Sequence, residues 1–188
     1  MKKIFFLLFF FYSLNGYTAN PTDLAKLSKS EIPKGLDLSN ADLRSYQFSS
    51  DKINLKNANL SHANLSNVNL EKVDLSNADL SYANLSHAKL SQANLSNANL
   101  THADLTGAIL DQANLTNAML IAATLVEASL QNSQLNKADF SCANFNNANL
   151  SKADFADANI SSALFSNTIT TDILNYDSVI DNHVSCSE

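Results

Sequence analysis

Histidines and serines are the residues of this sequence that could most readily take part in metal binding or catalysis. His62, His87 and His102 lie in the middle of the chain, and imidazole pairs bind Zn²⁺. A serine can act as a nucleophile where an oriented base and an oxyanion site accompany it. No Gly-x-Ser-x-Gly, no His-Glu-x-x-His and no phosphate-binding Gly-rich loop occurs in this chain of three glycines. The serines in question are Ser61, Ser66, Ser76, Ser81, Ser86, Ser91 and Ser96.

The positions of these residues follow from a repeat of five. From Leu55 to Phe165 every fifth residue, which we call the centre, is large and apolar: 18 Leu, four Phe and one Ile. Two residues before the centre, 19 of the 23 units carry Ala. Asn or Asp usually precedes the centre, and Ser or Thr usually follows it. Units centred on Leu38, Leu43 and Phe48 fit the same scheme, with two residues inserted near 49–52.

A period of five matches neither a helix nor a flat strand. On a helix the centres would spiral around every face, and on a strand they would alternate between the two faces. A chain that turns a corner every five residues and closes a square after four units can bury every centre. Twenty residues then complete a coil, and the coils stack at about 4.8 Å. The pattern therefore predicts an all-β square solenoid with Ala and Leu inside.

The pattern Ala-(Asn/Asp)-Leu-x-x over residues 36–167 resembles that of the pentapeptide repeat family. This resemblance implies a right-handed quadrilateral β-helix. Asn20 to Leu27 resembles the short N-terminal helix of exported members, with Asn20 as its N-cap and Pro21 in the first turn. The cysteines that such members often carry at both ends of the repeat are missing here. We expect a signal peptide at 1–19, a cap segment at 20–35, the β-helix at 36–167 and a C-terminal cap or tail at 168–188.

The N-terminus predicts export. Lys2 and Lys3 precede an apolar run from Ile4 to Tyr12, which is typical of a secretory signal and too short to span a bilayer. A retained membrane anchor is the alternative to cleavage. Cleavage would leave no stable membrane insertion, so we expect a periplasmic or secreted protein.

The square coil separates the candidate catalytic groups. Residues twenty apart share a column, so His62 and His102 lie two coils apart, about 9.6 Å, with Tyr82 between them. Two ligands of one Zn²⁺ lie much closer together than that. His87 falls on the next side. We therefore expect no catalytic, metal or cofactor site, and no enzymatic activity.

One departure from polarity marks a candidate interaction patch. Met119, Ile121, Thr124 and Val126 occupy outward positions on two adjacent sides of one coil. Such an apolar cluster can mark a partner or dimer contact, and local drift in a degenerate repeat is the other interpretation.

The chain has two cysteines, Cys142 on the outer surface and Cys186 in the tail. Export would place both in an oxidising compartment, so a disulfide between them is one hypothesis. Free thiols, or pairing between chains, are the alternatives.

Charge limits the classes of partner. The formal net charge is −6, which disfavours a nucleic-acid site that depends on a basic surface. Some pentapeptide repeat proteins resemble DNA and bind gyrase, but residues 53–167 carry nine acids and five lysines over a rod of about 28 Å, where duplex DNA carries about 16 charges. We expect an exported non-enzymatic scaffold for an unknown protein partner. A cytoplasmic gyrase-binding inhibitor and a secreted effector remain the alternatives.

Overall fold

A tight turn closes every unit of five residues. The N–H of each inward Ala donates to the carbonyl of the preceding centre, as Ala58 does to Leu55 at 3.0 Å. The second residue of the turn has a left-handed backbone, with φ of 58° at Asn57. Asn tolerates this conformation better than most residues, since its short polar side chain can bond locally. This explains why Asn is frequent two residues after the centre.

The residue before the centre organises the same turn from outside. Its side-chain oxygen accepts the backbone N–H two residues on, as Asn59 Oδ1 does from Ser61 at 3.1 Å. This is an Asx turn, which only Asn and Asp can make at that position. The Ser61 hydroxyl donates to the same oxygen at 2.7 Å. The Asn/Asp-centre-Ser part of the repeat is thus a local bending device.

Four such units complete a square, and successive squares stack in parallel register. The computed structural model describes residues 35–46, 48, 54–182 and 186. Within them the structure is built from isolated parallel β-bridges, most of them between residues twenty apart, such as Asn59↔Asp79 and Asn64↔Asn84. We number the sides by their centres: Leu55 begins side 1, Leu60 side 2, Leu65 side 3 and Leu70 side 4, each recurring every twenty residues.

The interior of the solenoid is filled by the centres and the Ala layer. The centres from Leu55 to Phe155 are all 0% exposed, and the Ala residues two before them are at most 1% exposed. Ser133 replaces one Ala, and its hydroxyl donates to the Leu130 carbonyl at 2.6 Å, which satisfies it inside the core. Towards the C-terminus Phe replaces Leu at several centres. The ring centroid of Phe140 lies 5.1 Å from that of Phe145 and 6.0 Å from that of Phe155. The all-β square solenoid predicted from the sequence is confirmed.

The register changes near both ends. Asp37 pairs with Asn59 and Asp42 with Asn64, 22 residues on, so the two-residue insertion predicted near 49–52 widens the first coil. At the other end Asn159 pairs with Ile180, 21 residues on. The extra residue belongs to the stretch holding a 3-10 helix, Tyr176–Ser178, the only helix in the described parts of the chain. The sequence pattern ends at residue 167, whereas the parallel bridges continue to Ile180.

The predicted signal peptide at 1–19 and the predicted N-terminal helix from Asn20 lie outside the described residues. Among the residues that are described, no helix has the length and apolar character needed to cross a membrane.

Candidate interaction surfaces

The serines lie in the turns, and several of their hydroxyls form hydrogen bonds within those turns. Each follows a centre, and the hydroxyls of Ser61, Ser66 and Ser86 donate to the Asn two residues earlier at 2.7 to 2.9 Å. Ser76 differs, since it is 4% exposed and its hydroxyl has no hydrogen-bond partner. No imidazole is bonded to any of the seven serines in the described chain. The arrangement holds corners and does not assemble a nucleophile with a base.

His62 and His102 form a stacked column with Tyr82 at the corner between sides 2 and 3. Tyr82 lies between His62 and His102, with ring centroids 4.9 and 4.8 Å apart and interplanar angles of 5° and 20°. The rings therefore cover one another's faces and show their edges to solvent. His87 lies at the next corner, beside Gly107. Over the described residues, no three His, Cys, Asp or Glu side chains form a group that could hold a metal ion.

The candidate patch of Met119, Ile121, Thr124 and Val126 spans sides 2 and 3 of one coil. Met119 is 44% exposed, whereas Ile121, Thr124 and Val126 are half-buried. Met119 cannot make an Asx turn, and Thr124 could make only the weaker hydroxyl equivalent, so the bends there depend mainly on backbone bonds. Ala122 at the corner continues the column of His62, Tyr82 and His102. The patch and the aromatic column are thus one edge of the solenoid.

The same corner ends at the disulfide. Cys142 is bonded to Cys186, with Cα atoms 5.7 Å apart. Asn182 lies one coil beyond Ser161, since its N–H donates to the Ser161 hydroxyl at 2.8 Å. The disulfide therefore joins Cys186 to the coil that precedes the one ending at Asn182. The disulfide lies at the last two described coils, where each coil has the fewest neighbouring coils to stack on.

Sequence reasoning missed an apolar series on the last coil. The large residues before the centre positions there are exposed: Leu164, Ile169, Leu174 and Ile180, at 54%, 49%, 50% and 47%. Their signal was present, since Leu164, Ile169 and Leu174 continue the spacing of five. The register was obscured because the centre positions after Ile169 and Leu174 hold polar Thr170 and Asn175.

Two carboxylates are held by their neighbours at the two ends of the rod. Asp42 bonds the Arg44 guanidinium at 2.6 and 2.9 Å, and this contact lowers the pKa of Asp42. Partial burial acts to raise the pKa of Asp154, but hydrogen bonds from Asn175, Asn136 and the Ala156 N–H outweigh it and lower the pKa. Asn175 donates to Asp154 at 2.7 Å, so this carboxylate joins the last coil to the one before it.

Comparisons with known proteins agree with this architecture. The family described as pentapeptide repeats matches residues 53–92, 93–132 and 128–167, with eight copies. A search of curated proteins gave no match.

Three solved structures illustrate what this chain is similar to. A pentapeptide repeat protein from the Arabidopsis thaliana thylakoid lumen is 32% identical over 43% of this chain, with a TM-score of 0.42. This chain spans 56% of that protein. HetL, involved in heterocyst differentiation regulation in Nostoc sp. strain PCC 7120, is 29% identical, with 75% of this chain and 81% of HetL covered and a TM-score of 0.31. QnrB1, a plasmid-mediated fluoroquinolone resistance protein, is 16% identical, with 78% of each chain covered and a TM-score of 0.49.

The family match covers more than half of the chain and coincides with the stacked coils seen in the structure. It implies the right-handed sense of the β-helix that the resemblance in sequence led us to expect. This chain belongs to the pentapeptide repeat family.

Proposed function

We propose that this protein is an exported, non-enzymatic solenoid that acts as a structural or protein-interaction scaffold. The observation that carries the proposal is that every position of the repeat unit already has a structural role. The centre and the Ala fill the interior, and the Asx turn uses the polar residues around the corner. Any binding site would therefore lie on the outer surface, and such a surface suits a protein partner.

Export is supported by the basic and apolar N-terminal pattern and by the disulfide. Lys2, Lys3 and the run from Ile4 to Tyr12 are typical of a secretory signal. The Cys142–Cys186 bond fits an oxidising compartment such as the periplasm.

Fractionation of cells that carry the full-length chain with a C-terminal tag tests the location. We expect the protein in the periplasm or the medium, shortened at its N-terminus by signal cleavage. Thiol counting on the native exported protein should find no free thiol. A purely cytoplasmic protein with two reactive thiols would contradict the proposal and favour the gyrase-binding alternative, whereas delivery into a second cell would favour an effector.

The patch of Met119, Ile121, Thr124 and Val126 supplies a specific test of the scaffold role. Met119→Asn with Val126→Ser replaces apolar residues by those usual at the same positions, so the fold should be kept. We expect this variant to lose partners that the unmodified protein captures by cross-linking in its own compartment.

Ile109→Asn is the matched control for the patch, because Ile109 is also exposed before a centre, at 39%, but lies on side 4. It should leave the capture profile intact. An unchanged profile for Met119→Asn with Val126→Ser would remove the patch from the proposal.

A further inference from the structure

The last coil, residues 163–182, is apolar where the other coils are polar. Each of its four sides carries a large exposed aliphatic residue before the centre position. One coil earlier, the residues paired with them are all Asn or Asp. The replaced pairs are Asn144↔Leu164, Asn149↔Ile169, Asp154↔Leu174 and Asn159↔Ile180.

The same coil leaves a backbone edge open. In the coil before it, the N–H groups of Phe145 and Leu150 donate to the carbonyls of Leu164 and Ile169 at 2.8 Å. In the last coil no described residue accepts the N–H of the corresponding Phe165 and Thr170. Among the described residues, sides 3 and 4 of this coil therefore end in backbone donors without an acceptor, beside exposed Leu164 and Ile169. Such an edge is a template for another extended chain.

Sides 1 and 2 of the last coil are less open. The 3-10 helix Tyr176–Ser178 interrupts the coil there, and the Tyr176 ring packs edge-on against Phe155, with centroids 6.3 Å apart. The disulfide from Cys186 to Cys142 fastens the chain beyond side 2. In the described part of the chain, sides 3 and 4 are therefore the exposed stretch of this coil, at Leu164 and Ile169.

Charge selects among the possible occupants of this edge. Asp172, Asp177 and Asp181 are exposed, and no Lys or Arg occurs between residues 163 and 182. Two copies joined end to end would bring two such acidic coils together, and like charges in close contact oppose association. A partner with basic residues would be attracted.

We propose that sides 3 and 4 of the last coil bind a protein partner by strand addition. The partner segment is extended, with apolar residues that stack on Leu164 and Ile169 and with Lys or Arg near Asp172. Main-chain bonds to the Phe165 and Thr170 N–H groups supply affinity, and the alternating side chains supply specificity. This inference rests on the proposed scaffold function and names the surface and the chemistry of its partner.

The test uses a fluorescein-labelled peptide of alternating Lys and Val and the full-length protein. We expect saturable binding by fluorescence polarisation, and none for a peptide of alternating Glu and Val. Leu164→Asn with Ile169→Asn restores the residue found one coil earlier, and should weaken binding about tenfold or more because two apolar contacts are lost. Asp172→Asn should weaken binding and reduce its dependence on salt.

Ile109→Asn is again the control, since it removes an exposed Ile from side 4 of an inner coil that is paired on both edges. It should bind the peptide as the unmodified protein does. Equal binding by all variants, or equal binding of the Glu peptide, would overturn the proposal. A stable dimer that dissociates in the Leu164→Asn, Ile169→Asn variant would also overturn it, because the occupant would then be a second copy.

The peptide result and the scaffold result can be told apart. If the peptide fails to bind but cross-linking captures a partner through the Met119 patch, only the edge proposal falls. If the protein is found in the cytoplasm and still binds the Lys-Val peptide, only the export proposal falls.

Discussion

The imidazole ring of His87 lies over the Cα atom of Gly107, its neighbour in the next coil. A β-carbon on Gly107 would lie 2.6 Å from Cε1 of His87, far inside van der Waals contact. Gly107 also has a φ of +64°, a left-handed conformation that costs other residues about 1–2 kcal/mol. The pair shows how a corner column is shaped by residues twenty apart.

Gly107→Ala should therefore displace the His87 ring and lower the free energy of unfolding by about 1–2 kcal/mol, mostly through the left-handed backbone. Thermal unfolding measures the loss, and the His87 ring resonances report the displacement. In a double-mutant cycle, His87→Ala should relieve the steric part of the loss and leave the backbone part. An unshifted ring and full stability in Gly107→Ala would contradict the contact.

Cys142→Ser with Cys186→Ser should loosen the last coils. The cysteines are 44 residues apart, and a closed loop of that size contributes about 4 kcal/mol in the chain-entropy treatment. Hydrogen exchange should rise at Leu174 and Ile180, whose N–H groups bond the previous coil, and stay low in the inner coils. Reduction of the unmodified protein serves as the control and should give the same pattern. Equal protection before and after reduction would show that the disulfide does not stabilise these coils.

Ser76→Ala should stabilise the protein. The Ser76 hydroxyl is buried and unpaired, and such a group costs about 1–3 kcal/mol. Ser61→Ala is the matched control at the same place in its unit, and it should destabilise by about 1 kcal/mol because the bond to Asn59 is lost. Denaturant midpoints of the two variants should move in opposite directions. A shift of both to lower denaturant would mean that the Ser76 hydroxyl has a partner.

Acid should open the C-terminal end through Asp154. The pKa of Asp154 is lowered in the folded state, so its contribution is present above the ordinary value of 3.8 and is lost as pH falls through the lower folded value. Protonation removes the charge that accepts the Asn175 bond. Exchange at Leu174 should therefore increase below pH 3.8 more than exchange at Leu85. Asp154→Asn should show the faster exchange at every pH, and an unaltered pH profile would contradict this role.

The edge formed by the aromatic column and the Met119 patch shows how much of a candidate site the repeat pattern can predict. The period of twenty placed His62, Tyr82 and His102 in one column, which the ring stacking confirms. It also placed Met119 and Ile121 outward, but the two differ in exposure, since Ile121 is half-buried. Whether this edge binds a partner stays a prediction. Exposure depends on the size of neighbouring side chains, which periodicity does not specify.

The sequence by itself determined the architecture, because the constraint is local and repeated. An apolar centre, an Ala two before it and an Asx turn around it specify one corner, and each further unit specifies the same corner again. The two-residue insertion could be predicted for the same reason, since it interrupts a strict period.

Only the tertiary structure decided what happens where the period ends. Leu164, Ile169, Leu174 and Ile180 fill positions that hold Asn or Asp one coil earlier, and all four side chains are exposed. Neighbours in other coils likewise decide the packing of His87 over Gly107, the hydroxyl of Ser76 without a described partner, and the disulfide between Cys142 and Cys186. A repeat determines the contacts that every unit shares, and three-dimensional packing decides those that only one unit makes.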